Sequence, residues 1–325
     1  MNKGEITGSI FSKASKAFDT LGHTQIINNL SSCGVEGIEK EFFTDYLFNR
    51  KQTVCIGKET SDTQPVTCGV PQGSILGPLL FLVAFNGIRN TLRHCKIITY
   101  ADDTVIYTSG KRKEDVEKAL QEDFTSLADW LELNDLIINL KKGKTECTLF
   151  GTCQRVKNQS LDVKYRHHSI LFTDTYKYLG VQLDQTLSLR SHLESTYKKA
   201  AGRLYLLKRV RFQLTTDAAL SIYKSMLLPL FIYCSILNAN PSRTHQERID
   251  NFENRAQRIV YRSGNPNGNQ QLISVKELNK KRVCLQVFKC MIGETCENFQ
   301  NYFEIMNNKT RNRNCLIRLR VAKLE

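Results

Sequence analysis

Ile97-Ile98-Thr99-Tyr100-Ala101-Asp102-Asp103-Thr104-Val105-Ile106-Tyr107 is the stretch on which the reading of this chain turns. Both halves are rich in β-branched and aromatic residues, which suit a pleated, packed surface, so each reads as a short buried strand. Only Ala101-Asp102-Asp103 interrupts them, which makes the whole a tight hairpin. A turn chosen for stability would carry Asn-Gly or Asp-Gly, because those residues accept positive φ. Two adjacent aspartates supply little of that and repel one another. Such a pair makes sense when a divalent cation neutralises it; the alternative is an ordinary polar turn.

Working outward, 325 residues are enough for a full core and two or three subdomains. A hydrophobic content of 41% and a charged content of 24% are ordinary for a folded soluble protein. The charge is unevenly placed. Residues 1–192 carry 23 Lys and Arg against 22 Asp and Glu, a net of +1, whereas residues 193–325 carry 23 against 10, a net of +13. A neutral first part joined to a basic second part suits contact between the second part and a polyanion, although a solvated basic surface would look the same. None of the eleven cysteines forms a C-x-x-C pair, and the even spacing of Cys284, Cys290 and Cys296 matches no zinc module. With no secretory signal at the start, the expectation is reduced thiols and a cytoplasmic or nuclear location. The longest apolar runs, near Leu79–Phe85 and Leu227–Leu237, are too short to span a bilayer, so no membrane partner is expected.

Before the hairpin, Ile10 and Phe11 suggest a strand that polar residues soon weaken, followed by a helix near Thr24–Leu30 and another over residues 36–50. Gln52–Ile56 and Gln64–Cys68 read as strands joined by a polar turn containing Gly57. The loop Gly69-Val70-Pro71-Gln72-Gly73-Ser74-Ile75-Leu76-Gly77-Pro78 leads into an apolar helix; its glycines let backbone approach a ligand, and Gln72 and Ser74 offer neutral hydrogen bonds. After the hairpin, Lys113–Leu131 is an amphipathic helix with Val116, Leu120, Phe124, Leu127 and Leu131 on one stripe, and Trp130 beside it reads as core. Strands follow at Leu136–Leu140 and Glu146–Phe150 around a basic turn, and Tyr176–Leu183 alternates as part of another hairpin. From about residue 190 the periodicity is helical, near 194–210, 215–228 and 243–262. In the last of these, Arg248, Arg255 and Arg262 recur every seven residues and Arg258 adds to that side, which suits a phosphate backbone or a solvated face. Gly264–Asn269 reads as a linker, followed by some helical pattern and the basic stretch Lys309–Arg320.

Taken in order, Ser15-Lys16-Ala17-Phe18-Asp19, the Gly69–Pro78 loop, Tyr100-Ala101-Asp102-Asp103, Trp130 to Asn139 with Lys144-Thr145, and Tyr178-Leu179-Gly180 resemble the reverse transcriptase of non-LTR (LINE-type) retrotransposons. The resemblance covers about residues 1–185, with a thumb-like helical stretch through about 262. It implies an α+β right-hand polymerase palm, an antiparallel sheet backed by helices, over residues 1–190. An α-helical thumb would occupy 191–263, and a linker with a basic C-terminal segment 264–325. The implied reaction extends a DNA primer with deoxynucleotide triphosphates on an RNA template. Two Mg²⁺ ions about 4 Å apart would serve it. By the same resemblance Asp102 and Asp103 are catalytic metal ligands, and Phe18 excludes a ribose 2′-hydroxyl. Gln72 and Gly73 would lie beside nucleotide and template, Lys144 near pyrophosphate, and Leu179 and Gly180 at the primer end. Arg248, Arg255, Arg258 and Arg262 are the candidates for backbone phosphates.

Two departures qualify this. The family's first palm strand reads Asp-x-Ser-Lys-Ala-Phe-Asp, and its leading aspartate bridges both metals; here that position is Lys13. Asp19 matches only the trailing aspartate, and six residues of extended strand span roughly 20 Å. An ammonium at Lys13 is expected to pair with Asp102 and take the cation's place, leaving slow or no polymerisation. The alternative reading is a catalytically silent nucleic-acid-binding remnant with a basic thumb. The second departure is that fingers and endonuclease are not recognised ahead of the palm, and Gly87 follows Asn86 where the family usually has Asp. A truncated element, or a gene prediction lacking upstream exons, would account for that.

Overall fold

The computed structural model describes residues 4–235, 242–262 and 272–295, together with the backbone of 303–306 and 316–319. The chain divides into two compact units, Met1–Ser188 and Leu189–Glu325. The expected linker Gly264–Asn269 and most of the basic stretch Lys309–Arg320 lie outside the described residues.

The first unit is a mixed α/β body built on a six-stranded sheet. Its order is Leu171–Phe172, Glu146–Phe150, Ile6–Ser15, Asp103–Gly110, Lys96–Tyr100, with Ile137–Ile138 pairing the far end of Ile6–Ser15. All pairs are antiparallel except the first, which is parallel. The 20-residue stretch between Phe150 and Leu171 is long enough to cross over and return in the same direction. The strand Ile6–Ser15 is longer than its polar residues suggest, because a central strand is paired along both edges and Ser9 and Ser12 are carried into the interior with it. Ile6, Ile10 and Ala14 point to the main core, while Phe11 packs with Val105 and Tyr176 on the other face.

The helix Lys113–Leu133 covers the main-core face with Val116, Leu120, Phe124, Leu127 and Leu131 all buried. It lies so close that a Cβ on Gly8 would come within 2.6 Å of Val116 Cγ1. Trp130 meets Phe85 edge-on, with ring centroids 5.8 Å apart, and so packs as core. From the same helix, the buried Asp123 accepts the backbone N–H groups of Arg93, His94 and Cys95. Burial alone would raise the pKa of this carboxyl, but the three hydrogen bonds outweigh it and hold the value below normal. The chain entering Lys96–Tyr100 is fastened in this way.

Two expectations need correction here. The strand Lys96–Tyr100 is not buried: among the described residues it has a neighbouring strand on one side only, and Ile98 and Tyr100 are 50% and 65% exposed. Residues 51–65 form nested short ladders instead of two strands, with Lys51–Gln52 on Gln64–Pro65 and Cys55–Ile56 on Glu59–Thr60. Gly57 takes the left-handed turn between the inner pair.

The second unit is helical where side chains are described. The helices Arg190–Val210, Thr216–Ile222, Leu228–Ile232, Arg243–Tyr261 and Val275–Met291 enclose Leu204, Tyr223, Leu227, Phe231, Phe252 and Val260. A π-turn at Tyr223–Leu227 precedes Pro229, which cannot donate to the preceding turn. A short antiparallel ladder joins Phe303–Met306 to Leu316–Leu319. Arg211, 6% exposed, donates to the carbonyls of Ile259 (3.0 Å), Val260 (2.7 Å) and Leu214 (2.6 Å) and to Thr216 Oγ1. It closes the C-terminal end of Arg243–Tyr261. Cys284 is exposed, Cys290 is buried, and Cys296 lies outside the described residues. Among the described residues no helix is long and apolar enough to cross a membrane.

Candidate functional site

The hairpin tip is tighter than its sequence suggests. Tyr100 pairs with Asp103, so only Ala101 and Asp102 form the turn. Ala101, not an aspartate, takes the positive φ, at 52°. Asp103 is also the direct cross-strand partner of Lys13 on the neighbouring strand. In that register the Lys13 ammonium reaches Asp103 Oδ1 at 3.0 Å and Asp102 Oδ2 at 3.4 Å, with the three side chains between 19% and 32% exposed. Burial would lower the Lys13 pKa, but the hydrogen bond to Asp103 and the charges of Asp102 and Asp103 prevail and hold it above the usual value. The lysine therefore stays charged as a built-in counter-ion for both carboxylates.

The resemblance implies a pair of divalent ions at this point, and the side chains present do not fit one. Among the described residues no three of His, Cys, Asp and Glu gather to hold a metal. The volume between the two carboxylates that a bridging cation would need is taken by Lys13 Nζ. Asp19 does not compensate. The strand ends at Ser15, Lys16 adopts a left-handed φ of 52°, and Ala17–Thr20 is a helical turn, so the chain is not extended toward Asp19. That carboxylate accepts the Gln72 amide at 2.6 Å.

Phe18 stacks on Phe81 with centroids 4.2 Å apart, so Phe18, Asp19 and Gln72 are gathered where the Ala17–Thr20 turn meets the Gly69–Pro78 loop. Val70 N–H donates to the Phe18 carbonyl and Gly69 N–H to that of Leu21, both at 2.8 Å. Gly69 has φ 82°, and a Cβ there would lie 2.8 Å from the Cα and carbonyl oxygen of Asp19. Only glycine fits. Gly69→Ala should cost about 2–4 kcal/mol, combining left-handed strain with backbone overlap. An unchanged urea midpoint for that variant would refute this account of the loop. Gly73 also has positive φ but faces open space. Ser74 Oγ accepts the Gly77 N–H and secures the start of the following helix.

Beneath the carboxylates lies the hairpin Thr175–Tyr178 and Val181–Asp184, whose contribution the motif reading missed. Tyr176 stacks on Phe11 at 4.0 Å and donates its hydroxyl to the Lys144 carbonyl. Its pKa is pushed up to about 12, by burial first and then by Asp103. Tyr178 is raised for the same two reasons. Its buried hydroxyl has no protein partner among the described residues. The alternation along Tyr176–Leu183 placed both tyrosines on one face, and that pattern was the available clue. At the turn, Leu179 and Gly180 have φ 44° and 86°, the two positive values of a type I′ turn. Lys144 has an exposed side chain on the turn before Glu146–Phe150.

The four arginines are not equivalent. All are exposed, but Arg248 lies over the Tyr197 ring, 4.4 Å from its centroid, and Arg262 donates to the Arg211 carbonyl. Arg255 and Arg258, on the helix Arg243–Tyr261, make no such contact among the described residues.

Comparison with known proteins gives consistent matches. The family described as reverse transcriptase (RNA-dependent DNA polymerase) matches residues 3–183. The RNA-directed DNA polymerase from mobile element jockey of Drosophila melanogaster is 27% identical over 264 residues, covering 77% of this chain and 28% of that protein. The probable RNA-directed DNA polymerase from transposon BS of the same organism is 26% identical over 270 residues, covering 79% and 29%. The chain thus spans less than a third of the length of these curated relatives. Among solved structures, apo telomerase from Candida tropicalis aligns with 90% of this chain and 52% of that chain, at a TM-score of 0.42 and 10% identity, a likeness too distant to carry any argument.

Proposed function

The chain belongs to the reverse transcriptase (RNA-dependent DNA polymerase) family, and from that premise we propose that it is the polymerase domain of a LINE-type retrotransposon in which Lys13 has silenced or slowed nucleotide transfer. In this reading the first unit is the palm and the helices after residue 190 are the thumb. Phe18, flat against Phe81, stands against the sugar of an incoming nucleotide. Gln72 and Gly73 border nucleotide and template, Lys144 the pyrophosphate, and the Leu179-Gly180 turn the primer terminus. Arg255 and Arg258 contact the duplex backbone, joined by Arg248 and Arg262 where their intramolecular contacts allow. The RNA template and DNA primer are held by these residues without help from a metal.

One observation carries the proposal: the Lys13 ammonium lies 3.0 Å and 3.4 Å from the two carboxylates. Divalent ions supply this chemistry in the family by steadying charge on the reacting phosphate. Here the protein's own cation already satisfies the aspartates, and an ammonium offers neither open coordination positions nor a second charge. Held above its usual pKa, Lys13 is also a poor proton acceptor near neutral pH. Binding and chemistry should therefore separate. The purified chain should bind an RNA–DNA template–primer with an affinity that falls steeply as salt rises, because backbone contacts release counter-ions. In the same buffer with Mg²⁺ it should incorporate labelled deoxynucleotide slowly or not at all. Rapid incorporation would overturn the silencing, and absence of binding at low salt would overturn the polymerase-domain reading itself.

A further inference from the structure

The open edge of the first unit's sheet adjoins a small cavity. Lys96–Tyr100 pairs with Asp103–Gly110 on one side, and among the described residues no strand pairs it on the other. Every second residue of an antiparallel edge turns its N–H and C=O outward, where another chain can take them. A cavity of about 270 Å³ is lined by Ile97 and Thr99 of this strand and, among others, by Leu82, Phe85, Ile88 and Arg89. The last four come from the helix Leu76–Phe85 and the turn Asn86–Thr91 that follows it. No residue of Asp103–Gly110 lines the cavity, so it lies over the edge strand and not over the middle of the sheet. Its volume falls below the range of small-molecule sites and suits one large side chain.

The lining is apolar at its base. Phe85 and Ile88 are buried, Ile97 packs against the main core, and Leu82 carries apolar surface out to solvent. Ile97 and Thr99 share one face of the strand, whereas the exposed Ile98 and Tyr100 share the other. A strand added to this edge therefore sends alternate side chains to the cavity and to the Ile98–Tyr100 face. Charge decides what kind of strand fits. Residues 86–100 hold Arg89, Arg93 and Lys96 and no Asp or Glu. All three cations are exposed, and among the described residues none is in an ion pair. Carboxylates on neighbouring elements are already engaged, Asp123 by three backbone N–H groups and Asp103 by Lys13. Arg89 lines the cavity itself. An occupant with an apolar side chain and a carboxylate two residues along, on the same face, satisfies both features. A second copy of this edge brings the same three cations, so it is the weaker occupant and needs high protein concentration.

We infer that Lys96–Tyr100 is a docking edge for an extended acidic and apolar segment of a partner protein. The segment adds to the sheet as a strand, with an apolar side chain in the cavity and a carboxylate on Arg89. The interaction requires no nucleotide transfer. A suitable probe is the fluorescein-labelled peptide Ser-Thr-Val-Thr-Leu-Thr-Glu-Thr, in which Leu and Glu share a face. Fluorescence anisotropy with the full chain should give a dissociation constant of roughly 10–100 µM. Replacing the peptide's Glu by Lys should weaken binding roughly fivefold. N-methylating its central amides should abolish binding, because the side chains remain but the ladder donors are lost. Arg89→Glu should reverse the preference between the Glu and Lys peptides, which a mere loss of fold would not do. Hydrogen exchange should slow at amides within 96–100 when the acidic peptide binds. Binding that survives N-methylation, an unchanged preference in Arg89→Glu, or protection confined to residues 193–325 would overturn the docking edge. So would an absence of binding at about millimolar peptide. A chain already dimeric through this edge, from which the peptide displaces nothing, would assign the edge to a second copy instead and overturn the acidic partner.

Discussion

Lys13→Asp is expected to raise primer extension on an RNA template by on the order of a hundredfold or more in the presence of Mg²⁺. A metal site that stabilises developing charge contributes several kcal/mol to such reactions, and each 1.36 kcal/mol is a factor of ten. The substitution removes the cation that Asp102 and Asp103 now share at 3.4 Å and 3.0 Å and supplies a carboxylate at the cross-strand position of Asp103. Three carboxylates without a counter-ion repel, so the variant should unfold at lower temperature than the parent in chelator and regain stability as Mg²⁺ is added. The parent should show no such recovery. Lys13→Gln separates the two roles, since it removes the ammonium without adding a ligand and should leave extension at the parent's level. Equal extension rates for the parent and Lys13→Asp would end the silencing proposal.

Arg211→Met should destabilise the second unit by about 3–5 kcal/mol, because the carbonyls of Leu214, Ile259 and Val260 lose their donor inside the protein. Each buried unsatisfied group costs about 1–3 kcal/mol. Methionine keeps apolar volume, so the loss reports hydrogen bonding more than a cavity. Arg211→Lys retains a charge but cannot span carbonyls at the end of one helix and Thr216 Oγ1 at the start of another, and should fall between. For a unit of this size the shift corresponds to roughly 10–17 °C in melting temperature, read from helical circular dichroism. A shift below about 2 °C would show that water replaces the arginine and that the clamp contributes little.

The two residues illustrate what was legible in the sequence. Helices with a clear apolar stripe, such as Lys113–Leu133, were readable because local periodicity reports the face they bury. The order of short motifs pointed to the family, and the Asp102–Asp103 tip with it. Long-range consequences were not readable. Nothing near Arg211 announces that Ile259 and Val260, almost fifty residues away, are among its partners, and at a helix end it resembles any solvated arginine. The exposed side of Lys96–Tyr100 is likewise a property of its place in the sheet, not of its composition, which matches a buried strand. Lys13 could be set beside the aspartates only through motif alignment, since its pairing with Asp103 depends on a register that no local pattern encodes. The turn at Lys16, which directs Asp19 onto Gln72, holds a lysine in the left-handed conformation where glycine would be the usual signal, and so left no mark in the sequence.

The one-sided pairing of Lys96–Tyr100 bears on how the protein behaves in bulk. No strand among the described residues pairs its outer N–H and C=O groups, which lie next to exposed Ile98 and Tyr100, and Lys96 is the one charged residue in the strand's sequence. An edge of that kind accepts a strand from whatever chain offers one. Association through this rim should therefore persist despite the high net charge, which resides mainly in residues 193–325. Solubility should depend on concentration more than on pH, and a second charge at Ile98 would keep dense preparations dispersed.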